Sequence, residues 1–127
     1  MATLTFQAPT DATQGVVTYT ATAVSGDKFV FTAAMKAKNT ILQFSNGHAS
    51  PITITIAGVA KSFNAGHGYG SGSFTATSRA ITVAAGARGV MILTSDEVLS
   101  FLNVSDELTL TYTGGNVLLT VLGLQVA

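Results

Sequence analysis

The chain reads as an all-β domain: an antiparallel β-sandwich or jelly roll of about eight to ten short strands, with at most one short helical turn. Three observations predict this. Threonine and aliphatic residues alternate over short runs, most plainly in Ile52-Thr53-Ile54-Thr55-Ile56, and a period of two sends successive side chains to opposite faces of a strand. Clusters of Gly, Asn, Asp and Ser punctuate the runs at near-regular spacing, the signature of tight turns between strands. No solenoid repeat and no crossover helices of the kind that serve a parallel sheet interrupt the pattern.

In chain order, Thr3 to Ala8 is a first strand or arm, closed by Pro9 and the polar run Thr10 to Gly15. Residues 1–14 are accordingly set apart as an N-terminal arm or edge strand, and 15–127 as a single sandwich domain. Val16 to Val24 alternates, and Ser25-Gly26-Asp27 turns it into Lys28 to Ala34, which reads as a hairpin. Ala33 to Lys38 is a polar connector or the fraying end of that strand. Thr40 to Phe44 follows, and Asn46-Gly47 supplies the pair favoured where positive φ is needed. Pro51 opens Ile52 to Ile56, where its missing donor costs least.

Residues 62–77 carry Gly66, Gly68, Gly70 and Gly72 in alternation with His67, Tyr69 and Ser71, and this predicts an exposed, mobile loop. Ala80 to Ala84 and Val90 to Leu93 are strands around the turn Ala85 to Arg88. Thr94-Ser95-Asp96-Glu97 has the form of a capping box, and the apolar residues after it predict one short helical turn. The last strands, Leu108 to Thr113 and Val117 to Val126, meet at Gly114-Gly115-Asn116 as a hairpin. The same stretch is long and uncharged enough to raise a membrane helix, but its alternation and its Gly-Gly-Asn turn argue for strands.

Composition narrows the function. At 127 residues the chain is long enough to bury one core without covalent staples, and it has no cysteine for disulfides or thiolate zinc sites. Formal net charge is zero and the isoelectric point near 6.7, which offers no attraction to nucleic acid or an anionic membrane. Charged residues are only 9% of the chain, against about 25% in ordinary soluble domains, and mean hydropathy is +0.47. Thr and Ser must then supply most of the outward polarity, and such nearly neutral β-surfaces mark association sites. The N-terminus shows neither the basic segment nor the apolar core of a secretory signal.

Little in the sequence reads as catalysis. His48 and His67 fall in different turns without a nearby second ligand, and no Gly-x-Ser-x-Gly elbow occurs. The glycine-rich loop lacks the Lys-Ser/Thr ending and the following helix of a phosphate site. Asp96-Glu97 fits a helix start, and Asp106-Glu107 solvates a turn. No catalytic residue, metal ligand or cofactor is therefore assigned, and the chain is read as a non-enzyme.

Three segments then matter together: Asn46-Gly-His-Ala-Ser-Pro-Ile-Thr-Ile-Thr-Ile56, Arg79-Ala-Ile-Thr-Val-Ala-Ala-Gly-Ala-Arg88 and Glu107-Leu-Thr-Leu-Thr-Tyr-Thr113 with its closing strand. In order and spacing, over roughly residues 40 to 127, they resemble the small head decoration, or cement, proteins of tailed bacteriophages. The resemblance implies a virion protein made in the host cytoplasm that binds the outer capsid surface, bridges major capsid protein subunits, and associates as a homo-oligomer, with a trimer preferred. The interface candidates are Leu4, Phe6 and Pro9 in the arm, which can add a strand to a neighbour's edge, and Phe63, His67, Tyr69 and Phe74 in or beside the glycine loop. A glycan-binding sandwich is the alternative, with Tyr69 stacking on a sugar and His67 or Asn64 bonding to it; the absence of Trp counts against it.

Overall fold

The computed structural model describes residues 2–7, 19–64, 66, 68, 70–75 and 77–126, with the side chains of 62–64 excepted. Eleven strands and two short helices are found there. The strands are β1 (Ala2–Leu4), β2 (Thr20–Ala21), β3 (Gly26–Val30), β4 (Asn39–Asn46), β5 (Ile52–Ile56), β6 (Ala60–Asn64), β7 (Ser71–Thr75), β8 (Arg79–Val83), β9 (Arg88–Leu93), β10 (Glu107–Thr113) and β11 (Leu119–Val126). Helix α1 (Ala33–Lys36) lies between β3 and β4, and α2 (Ser95–Phe101) between β9 and β10.

One sheet has the order β1-β3-β10-β5-β8 and the other β2-β11-β4-β9, while β6 and β7 form a separate hairpin. Leaving aside β1 and that hairpin, the first of eight strands pairs with the last, the second with the seventh, the third with the sixth and the fourth with the fifth. This nested pairing is the jelly roll, a folded antiparallel ribbon whose halves lie in two packed sheets.

The core is the inward set of the alternating strands. Leu42 and Phe44 from β4 and Ile52, Ile54 and Ile56 from β5 are fully buried, as are Leu108 and Leu110 from β10. Their partners at odd register face out, so threonine in Ile52–Ile56 costs the core nothing. Phe6 stacks on Phe29 with ring centroids 4.3 Å apart and meets Phe31 edge-on at 5.0 Å. Gly123 of β11 makes the space: a Cβ there would lie 2.7 Å from Phe29 and 2.8 Å from Phe6. The segment from Ala2 to Gln7 thus straddles the sandwich, since β1 runs parallel to β3 while the Gln7 amide donates to the Gly123 carbonyl at 2.8 Å.

Several sequence expectations are corrected. Among the described residues, the expected Val16–Ala34 and Leu108–Val126 hairpins do not form, because β2 and β3, and likewise β10 and β11, belong to opposite sheets; residues 16–18 lie outside the described residues. Gly26 and Asp27 lie in β3, not in a turn, and Val117 and Leu118 lie in a turn, not in β11. Within 62–77, residues Asn64 and Ser71 close a β-hairpin where a loop was expected. Ala33–Lys36 is helical because Thr32 caps it: its hydroxyl accepts from the Met35 amide, and the Thr32 amide donates back to the Met35 sulfur, each at 3.4 Å. The capping box at Thr94 and Glu97 opens α2 as the spacing predicts.

Candidate interface surfaces

A sandwich offers two faces, two flanks and two ends, and this one builds them from different chemistry. The outer face of the five-stranded sheet is a lattice of hydroxyls. Thr82, Thr53 and Thr113 stand in one row across three strands, and Ala80, Thr55 and Thr111 in the next, with the Thr53 and Thr82 hydroxyls 2.9 Å apart. On the other sheet, Leu124, Ile41 and Ile92 make an apolar row, and Tyr19 donates from its hydroxyl to Gln43 Oε1 at 2.9 Å. Val90 and Ile92 stay exposed along edge strand β9, where the Arg79 guanidinium donates to the Ile92 carbonyl at 3.3 Å.

The two ends differ more sharply. One, here the helical end, carries α1, α2, the β6–β7 hairpin and the turn before β10, because the long connections β3–β4, β5–β8 and β9–β10 all run there. Three ion pairs lie there: Lys36 with Asp106 at 2.7 Å, Lys28 with Glu107 at 2.6 Å, and Arg79 with Glu97. The Arg79 guanidinium, then the Thr94 amide, hold the Glu97 carboxyl below its ordinary range, and the Lys28 ammonium, followed by the Asn103 amide, does the same for Glu107. Lys61 reaches across from the hairpin to donate to the Leu102 carbonyl. Val104, wholly exposed, tops the turn.

The opposite end is built from four short arches, β2–β3, β4–β5, β8–β9 and β10–β11, each crossing from one sheet to the other. They are locked together. Asn46, 1% exposed, donates from its amide to the carbonyls of Ser50 at 2.9 Å, Val83 at 3.0 Å and Ala84 at 3.3 Å, and its Oδ1 accepts from the His48 amide at 2.9 Å. One side chain thereby joins two arches. The Gly47 amide donates to the Leu118 carbonyl at 3.1 Å, tying in a third. Gly115 packs so closely on the β2–β3 arch that a Cβ would fall 1.9 Å from the Val24 carbonyl oxygen.

Beneath that last contact lies a buried carboxylate. Asp27 is fully buried and accepts from the Tyr112 hydroxyl at 2.8 Å and from the Ala23 amide at 3.1 Å. Burial, then the hydrogen bond to Asp27, pushes the Tyr112 phenol well above its ordinary value. This polar pair fastens the first arch to β10.

Charge is segregated along the long axis as a result. Among the described residues, every charged side chain except Arg88 and buried Asp27 lies at the helical end or reaches it through an ion pair. Both ends expose large apolar side chains. Val30, Phe74, Leu99, Val104 and Val126 stand among the charges of the helical end, whereas the arch end exposes Val24 at 52%, Val117 at 61% and Leu118 at 54% among Ala49, Pro51 and Ala85, with Arg88 as its one exposed charge among the described residues.

The sequence-derived interface residues scatter. Leu4 is buried and Phe6 is packed into the Phe29–Phe31 cluster, so both side chains belong to this chain's own core, while β1 takes the edge of the five-stranded sheet, one of the two places the sequence left open for this segment. Phe74 is 57% exposed on β7. Phe63 has its backbone in β6 opposite Gly72, and Pro9, His67 and Tyr69 lie outside the described residues. Val24, Val117 and Leu118 went unnoticed; the available signal was an apolar pair directly behind a Gly-Gly-Asn turn.

Among the described residues no three His, Asp or Glu side chains gather where a metal ion could sit, no pocket opens, and no helix is long and apolar enough to cross a membrane. Comparison with protein-family models, with curated proteins and with solved structures gives no match.

Proposed function

We propose that this chain is a non-enzymatic virion protein that decorates the outside of an icosahedral tailed-phage capsid and stabilises it by bridging capsid subunits. One observation carries the reading. A chain with 9% charged residues, folded into a complete jelly roll, still leaves ten large apolar side chains exposed among those described. Single exposed apolar residues are ordinary on any protein. Here six of the ten stand on arches, the β9 edge and the turn before β10, the rest on strands and α2, with few charges to hold neighbours off, a surface suited to burial in an assembly.

The jelly roll is compatible with the role, since coat proteins use it, but it also serves lectins and enzymes and is no evidence by itself. A decorating protein of this kind binds the assembled lattice and not the free subunit, and so stabilises the shell through linkage. Co-sedimentation tests it. The protein is expected to pellet with expanded shells of its parent phage and to stay in the supernatant with unassembled capsid protein. Failure to bind any assembled shell sinks the reading.

A further inference from the structure

We infer that the arch end is the docking end: it seats on the outer surface of the assembled protein shell, on an apolar, uncharged patch, and leaves the helical end in solvent. The inference rests on the decoration reading and adds to it which part of the molecule makes contact.

Charge complementarity carries the choice. Taking an ion out of water costs several kcal/mol unless a partner replaces its hydration. Docking through the helical end would strip water from Lys36, Asp106, Lys28 and Glu107 and their neighbours, whose ion pairs are partly solvated already. The arch end presents a single exposed charge among the described residues, Arg88, at the first position of edge strand β9. There it lies at the rim, where a charge tunes association more than affinity. Val24, Val117 and Leu118 supply the apolar anchors.

Rigidity supports the same end. Asn46 and the Gly115 contact hold the arches in one arrangement before any partner arrives, so little ordering remains to be done on binding. The helical end exposes more large apolar side chains, Val30, Phe74, Leu99, Val104 and Val126, but they stand among its charges and docking there would desolvate those as well. The β9 flank competes with exposed Val90 and Ile92. Its strand edge is already engaged by the Arg79 guanidinium, which brings the Arg79–Glu97 ion pair alongside. The threonine face carries hydroxyls and, among the described residues, one large exposed apolar side chain, Val30, which sits beside the Lys28–Glu107 ion pair.

The test uses the full chain and expanded shells of the parent phage purified without it. Wild type, Val117→Asp, Leu118→Asp, Val104→Asp and Ile92→Asp are co-sedimented across a concentration series, after thermal melts show that each retains the wild-type fold. A carboxylate buried without a partner at Val117 or Leu118 should weaken binding about tenfold or more. Val104→Asp and Ile92→Asp should stay within about twofold of wild type. Wild-type binding should also change little between about 50 and 500 mM NaCl, because few charges are desolvated.

Binding by both arch-end variants at wild-type strength, with wild type itself sedimenting, overturns the docking assignment and leaves the decoration reading standing. So does loss of binding in Val104→Asp or Ile92→Asp, or a steep decline with salt. A wild-type protein that pellets with no shell sinks the decoration reading first, and the docking end with it.

Discussion

The arch end and the helical end of this jelly roll are made from the same chain under opposite rules. At one, four short connections cross between sheets and are held by buried hydrogen bonds, above all those of Asn46. At the other, longer connections carry helices and a hairpin and are tied by solvated ion pairs. The difference teaches where stability resides. A buried amide that satisfies several backbone carbonyls is costly to remove, whereas exposed ion pairs contribute little.

The sharpest way to break this comparison is Asn46→Ala. It leaves the Ser50, Val83 and Ala84 carbonyls without their donor in a closed site, and is expected to cost about 3 kcal/mol in chemical denaturation. A loss as small as that of a surface substitution would mean that the arches hold without their shared side chain.

Next comes Gly115→Ala. The added Cβ meets backbone, the Val24 carbonyl, and nothing there is a flexible side chain that can step aside. A destabilisation of about 2 kcal/mol is expected. The comparison at the helical end is Thr94→Ala, which removes the α2 cap and should cost about 1 kcal/mol.

The smallest effects concern pH, and the two ends should respond in opposite directions. Glu97 and Glu107 have lowered pKa values in the folded state, so their contribution is present above the ordinary 4.5 and is lost as pH falls below it. Tyr112 is raised, so folding is favoured below its ordinary 10.0 and that advantage is lost as pH climbs past it, when the unfolded chain ionises first. Glu97→Gln should flatten the acid limb of a melting-temperature profile, and Tyr112→Phe the alkaline limb. If Tyr112→Phe leaves the alkaline limb unchanged, the Asp27–Tyr112 pair is not the source.

Much of the fold was legible because alternation reports which side chains face inward. Ile52–Ile56 and Leu108–Tyr112 read directly, and the Thr94–Glu97 spacing announced α2. Partnership was not legible: a period of two says nothing about which strand lies alongside, so Gly114-Gly115-Asn116 looked like a hairpin although it spans two sheets. The turn at Thr32–Met35 was hidden because a thioether there takes the place of the usual Glu or Gln. The same ignorance of pairing put two core residues among the interface candidates. Leu4 and Phe6 looked available on a free arm, yet Gly123, far along the sequence, opens the space that draws Phe6 inside. Charge segregation was invisible for a related reason, since Lys28 meets Glu107 and Arg79 meets Glu97 only once the ribbon has folded.

One consequence of the strand order concerns the ribosome. Strand β11 comes last among the described strands in chain order, yet it lies between β2 and β4 and also receives Gln7. The four-stranded sheet therefore cannot close until β11 has left the exit tunnel, so closure of the sandwich is a late event governed by its most distant contacts.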